Sequence, residues 1–152
     1  MRQLGLDPKL GVEQQLAARA KADHKPITGL ETAQQQLAIF DALPDALQLR
    51  FLDQTLEESK DAPRELAQMT RAWKRGDEKQ LASELLEEYA GFPELYDALV
   101  WKRNQAWVPQ IEALLTGHDD YLVVVGALHL IGDRGVIQLL KRDGLTPQRL
   151  SR

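Results

Sequence analysis

Thirteen residues near the end of the chain, Tyr121 to Asp133 (YLVVVGALHLIGD), constrain its fold more than any other stretch. They place the densest apolar, β-branched run in the sequence directly against Gly-x-x-His and a second glycine. Val123, Val124 and Val125 read as a strand buried on both faces. Gly126 then lets the backbone leave the sheet, and His129 follows three residues later. Gly132-Asp133 opens an amphipathic helix, GVIQLLKRDG. A strand that ends in Gly-x-x-His, at the carboxyl edge of a sheet and ahead of a helix, is where α/β proteins put their chemistry.

The rest of the chain reads as a helical body carrying that edge. Residues 1–11 are loop, punctuated by Gly5, Asp7-Pro8 and Gly11. A helix of modest amphipathicity runs from Val12 to about His24 and stops at Lys25-Pro26. Ile27 to Leu30 is a short strand candidate. Helices follow through Leu37, Ile39 and Phe40, stopping before Pro44, and then from Pro44-Asp45 through Leu56. Pro63 to Arg75 ends at Gly76-Asp77, and Leu81 to Tyr89 ends at Gly91. Pro93 to about Leu115 is a long helix that Pro109 should kink near Gln105. Leu145 to Leu150 is a possible edge strand, limited by Pro147. Two or three strands around so much helix make a lopsided α/β domain, because so few strands are hard to cover into a sheet. Part of the sheet is therefore expected from elsewhere.

At 152 residues the chain has the length of one domain, enough to bury a core without staples. It has no cysteine, which excludes disulfides, thiolate metal sites and cysteine nucleophiles. The net charge of -4 and the lack of a basic stripe argue against a nucleic-acid partner. No run is long enough to span a membrane. The first residues, MRQLGLDPKLG, lack the apolar core and cleavage site of a signal peptide.

Taken in order, Gly29-Leu30-Glu31-Thr32 with Gln36, then Arg103-Asn104 ahead of Trp107, then VGALHLIG (residues 125–132) form a pattern. It resembles the TraB/GumN family, which includes the Tiki metalloproteases. The resemblance extends from the Gly5-Leu6-Asp7-Pro8 and Gly11-Val12-Glu13 loop to Gly144-Leu145. It implies half of an erythromycin-esterase/ChaN-like fold: helix-rich α/β, with a small, mainly parallel sheet and a long helical insertion from Ala33 to Leu115. The family carries two Gly-x-x-His motifs, and this chain has one. His24 and His118 sit in loop contexts instead. The chain therefore looks like the C-terminal portion of a family member, without the N-terminal half that bears the first motif. Family members are often exported or membrane-associated.

The resemblance also implies a metal-dependent, peptidase-like hydrolase, with manganese or cobalt as the ion. His129 is the leading site residue, as metal ligand or general base; the alternative is a buried histidine bonded to backbone. Glu31 follows the first strand candidate. If the two strands are parallel neighbours, it emerges at the same edge as His129 and can ligate the metal or orient the ring. Its alternative is a helix N-terminal acid facing the macrodipole. Arg103, with Asn104 beside it, could orient substrate or stabilise a developing anion, or could be a structural ion pair. Gly126 and Gly132 frame the histidine. Asp7 is a further polar candidate whose plain reading is turn chemistry. One histidine and one glutamate are too few for a catalytic metal, which normally takes three protein ligands. The chain alone is thus expected to bind metal weakly and to be inactive. Two other readings stay open: a non-catalytic peptide- or protein-binding module using the helical insertion, and a fragment that self-associates through an unpaired sheet edge.

Overall fold

The structure, a computed structural model, describes residues 7–59 and 61–150. Gly5 and Leu6 of the loop motif lie outside them. The chain divides into two compact units, residues 1–32 and 33–152.

In the first unit a 3-10 turn, Pro8–Leu10, leads into helix α1, Val12–Ala22. The α1 stripe of small apolar residues buries nothing fully. The helix ends where His24 takes a left-handed φ of 53° and the Lys25 N–H reaches back to the Ala20 carbonyl at 2.8 Å. That closure satisfies a helix-end carbonyl that would otherwise lack a partner.

The second unit holds α2 (Ala33–Asp41), α3 (Asp45–Glu58), α4 (Ala62–Arg75), α5 (Glu78–Glu87) and α6 (Pro93–Tyr96). A π-helical segment, Asp97–Trp101, then joins α6 to α7 (Lys102–Leu114), and α8 (Val136–Arg142) closes the order. The breaks fall where backbone chemistry requires them. Pro44 caps α3, and Gly76 ends α4 in the left-handed region at φ 64°. Asp77 then starts α5 by accepting the Gln80 N–H at 3.1 Å.

The core gathers Leu43, Phe92 and Leu95, with Leu47, Phe51, Tyr89, Ala98 and Leu99 packed against them. Phe51 and Phe92 meet edge to face at 6.1 Å. Helices α7 and α8 pack together, and Trp107, Val108, Val136 and Leu140 are buried. In α4 the buried residue is Ala72, while Trp73 is exposed.

The expected α/β architecture is not formed. Among the described residues there is no strand and no sheet, parallel or otherwise. The segments read as strands at Ile27–Leu30, Val123–Val125 and Leu145–Leu150 run as non-helical chain. A β segment is stable only when a neighbouring strand takes up its backbone groups, and among the described residues no strand lies beside any of these segments. Leu122 is 75% exposed and Ile27 64%. The β-branched run thus has strand character without strand partners. The tail is held differently: Arg149 donates to the Gly76 carbonyl at 2.7 Å, at the α4–α5 junction.

The long helix also departs from expectation. Pro109 lies inside α7, which continues past it to Leu114. The irregularity comes earlier, at the π-helical segment. Such widened turns are frequent at functional sites.

Candidate functional site

His129 sits in a 3-10 turn, Ala127–His129, that follows directly on the exposed valine run. Its N–H bonds to the Gly126 carbonyl at 2.9 Å. Gly126 has an ordinary φ of -60°, and a Cβ built there would meet only the His129 ring, at 3.8 Å. It is therefore not the conformational release that the sequence pattern implied. Gly132 has a φ of 73°. At Gly135 a Cβ would press into the Ile131 carbonyl oxygen at 2.5 Å. These two, not Gly126, require glycine.

The turn lays the imidazole against α7. His129 is 9% exposed, and its ring centroid lies 4.5 Å from that of Trp107, itself buried. His129 Nδ1 is 2.7 Å from Asn104 Oδ1. Asn104 is fully buried, and its Nδ2 donates to the Arg134 carbonyl at 2.8 Å. That second bond settles which end of the amide faces the ring: the oxygen does. An amide oxygen only accepts, so Nδ1 carries a proton and donates it. In the neutral ring Nε2 is then the acceptor, and Arg103 Nη1 lies 3.3 Å from it.

Arg103 is itself held in place. Its Nη1 donates to the Leu99 carbonyl at 2.9 Å, and its guanidinium carbon lies 4.8 Å over the Trp107 ring. Leu99 belongs to the π-helical segment, so the widened turn supplies the carbonyl that anchors the arginine. Arg103 and Trp107 are four residues apart and share a helix face. Beside them, Arg134 pairs with Asp97 and spreads over the rings of Trp101 and Tyr96 at 5.3 and 5.9 Å. Burial raises the Tyr96 phenol above its ordinary value. The nearby Arg134 opposes that rise and Asp97 adds to it.

The structure thus brings together His129, Arg103 and Asn104 of the sequence-derived candidates. Glu31 lies half-buried at the end of the first unit, whereas His129 lies in the second. The sheet edge that was to bring the two together is not formed. Asp7 accepts the Lys9 N–H at 2.9 Å, which is turn chemistry. Trp107, which the sequence pattern places only as the residue that Arg103-Asn104 precede, supports both the ring and the guanidinium. Its place four residues after Arg103 was the signal available.

The donor set at the His129 cluster does not by itself fit a resident divalent ion: it offers one ring nitrogen, and that nitrogen faces a guanidinium. Among the described residues no three His, Cys, Asp or Glu side chains converge. What the cluster can do unaided is accept a proton at Nε2 and present a fixed cation next to it.

Comparison with known proteins gives the following. The model of the TraB/PrgY/gumN family matches residues 1–149. The chain is 37% identical over 138 residues to Uncharacterized protein YbaP of Escherichia coli (strain K12), covering 91% of this chain and 50% of that protein. The match to the Shigella flexneri protein of the same description has the same values. A Metalloprotease TIKI homolog from Amphimedon queenslandica is 36% identical over 59 residues, 38% of this chain and 12% of that protein. No solved structure matches. The chain spans about half the length of the YbaP proteins it matches.

Proposed function

This chain belongs to the TraB/PrgY/gumN family, and from that premise we propose that it carries one side of a hydrolytic, peptidase-like site centred on His129. The observation that supports this reading is the Asn104–His129–Arg103 relay, in which a buried amide fixes the ring at Nδ1 and a cation lies against Nε2. A buried structural histidine would also need a partner for its Nδ1–H; what favours a functional reading is the guanidinium held against Nε2.

His129 Nε2 is the proton acceptor. When a substrate carbonyl enters, its oxygen accepts from the fixed Arg103 guanidinium in place of Nε2. A water then loses a proton to Nε2 as its oxygen attacks the carbonyl carbon. The oxyanion that forms is held by Arg103. The imidazolium keeps its Nδ1 bond to Asn104 and passes the Nε2 proton to the leaving amine. Asn104 touches no reacting atom; it is a positioning residue. The metal implied by the family resemblance enters no step here. In this reading the His129 cluster is one part of the site, and the chain alone is inactive.

The test is a chimera in which this chain replaces the half of Escherichia coli YbaP that it matches, assayed on a fluorogenic peptide library. Cleavage is expected, with a loss of about 100-fold or more on His129→Ala at unchanged helical content. A folded chimera that cleaves nothing, or cleavage that survives His129→Ala, overturns the reading.

A second reading has its own support. An open apolar groove of ≈ 670 Å³ is lined by Ile39, Leu43, Leu47 and Ala98, with Arg50, Glu94 and Lys102 among its polar members. A peptide-binding module would use this groove and would keep its ligand in His129→Ala.

A further inference from the structure

The loop after His129 is held by a side chain outside the relay. Ile131 and Val136 are buried at its two ends, and Gly132 to Arg134 lie exposed between them. The Gly135 N–H closes the turn onto the Gly132 carbonyl at 3.1 Å. From that turn the Arg134 side chain reaches back to the end of α6 and the π-helical segment. Its Nη1 donates to Asp97 Oδ1, and its guanidinium carbon lies over the rings of Trp101 and Tyr96. The backbone carbonyl of the same residue accepts from Asn104 Nδ2 at 2.8 Å. We propose that Arg134, clamped by Asp97, Trp101 and Tyr96, is a positioning residue for His129. It fixes the carbonyl that orients the Asn104 amide, and through that amide the proton on Nδ1. The claim about the ring stands on this geometry; its consequence for turnover rests on the hydrolytic reading above.

The chain of effect follows from what each group can donate. An asparagine amide turned end for end would present its N–H groups to the ring, and Nδ1 would then have to accept. The proton would move to Nε2, which could no longer take one from a water. The acceptor on the other side of the amide decides between the two orientations. A carbonyl only accepts, so the Arg134 carbonyl takes Nδ2 and leaves Oδ1 for the ring. Arg103, donating toward Nε2, favours the same tautomer from the opposite side, so loss of the clamp should act in part rather than wholly. An ion pair with side chains 49% and 44% exposed contributes little by itself. Here the guanidinium also stacks on an indole and a phenol, and its planar fork loses less freedom on bonding than an ammonium would. The π-helical segment that supplies Asp97 and Trp101 also supplies the Leu99 carbonyl to Arg103. It therefore anchors both arginines that flank the relay.

NMR of the whole chain tests this without any substrate. Arg134→Met keeps the aliphatic stem and removes the charge, and Asp97→Asn removes its partner. Both side chains are about half exposed, so each variant should keep its helical circular dichroism. Each is expected to speed solvent exchange of the Asn104 Nδ2 protons by about fivefold or more. The ring nitrogen shifts of His129 should move toward the Nε2–H tautomer in both. Backbone amides of α7 should keep their exchange rates, which separates local release from global unfolding. Arg134→Lys retains a cation for Asp97 and should fall between wild type and Arg134→Met. Variants that lower the urea midpoint while tautomer and Asn104 exchange stay as in the wild type overturn the proposal, because the pair then serves stability alone. In the YbaP chimera, Arg134→Met should lower kcat by about tenfold with KM within about twofold. A chimera that cleaves nothing overturns the hydrolytic reading, and the ring measurements still decide whether Arg134 positions His129.

Discussion

The His129 ring and the Asn104 amide face each other at 2.7 Å, and the same amide donates to the Arg134 carbonyl at 2.8 Å. One fully buried side chain therefore fixes the imidazole and ties both ends of the 129–134 loop to α7. Asn104→Leu keeps the volume and removes both bonds. It leaves a ring N–H and a backbone carbonyl without their partner, at about 1–3 kcal/mol each. Urea unfolding should show a loss of about 2–4 kcal/mol. The NMR shifts of the ring nitrogens should also change. The proton sits on Nδ1 in the wild-type chain and should redistribute toward Nε2 in the variant. An unchanged Nδ1–H tautomer would show that Asn104 does not set it.

Metal affinity follows from the same geometry. The His129 cluster offers Nε2 alone, facing Arg103, where a catalytic site takes three protein ligands. Calorimetric titration of manganese or cobalt into the chain should give a dissociation constant weaker than about 1 µM. Tighter binding would contradict this ligand count.

Much of the helical plan was legible because helix ends are local events. Pro44, Gly76 and Asp77 stop and start helices by backbone rules that need no knowledge of the rest of the chain. The predicted 63–75 helix accordingly appears as α4, Ala62–Arg75. The strands were not legible in this way. Val123–Val125 have the composition of a buried strand, but a sheet is a relation between distant segments, and composition cannot supply the neighbour. The same limit applies to the site. Arg103 and Asn104 are adjacent in sequence and His129 lies 25 residues past Asn104. Their contact depends on the π-helical turn at Asp97–Trp101 and on α8 packing against α7. A hydrophobic pattern alone contained neither.

The glycines around His129 separate by mechanism. Gly135→Ala forces a Cβ onto the Ile131 carbonyl at 2.5 Å and onto Leu130 backbone atoms at 2.8 Å. Backbone cannot move aside as a side chain can. A destabilisation of about 2 kcal/mol or more is expected. Gly132→Ala pays the left-handed penalty of about 1–2 kcal/mol. Gly126→Ala has an allowed φ and an ordinary contact, so its thermal midpoint should stay close to that of the wild type. Equal effects at all three positions would contradict the backbone geometry of this turn.

Tyr89 and Tyr96 meet edge to face at 5.7 Å beside the core and report on it through their ionisation. Both phenols titrate above the ordinary value of 10.0, and burial is the leading cause for each. For Tyr89 the neighbouring Glu88 carboxylate adds to the rise and Arg103 opposes it. The folded state thus holds these protons more tightly than the unfolded chain does. The linked stability is fully present below the unfolded pKa of about 10 and is lost as pH rises through the higher folded values. Unfolding free energy measured up a series of alkaline buffers should therefore hold level with respect to these groups and then fall above about pH 10. Tyr89→Phe removes one such group and should shallow that fall. The phenolate absorbance of the native chain should likewise develop at higher pH than that of the urea-unfolded chain. Coincident titration curves for the two states would mean that the Tyr89–Tyr96 pair is open to water and that the α5–α6 corner of the core is loosely packed.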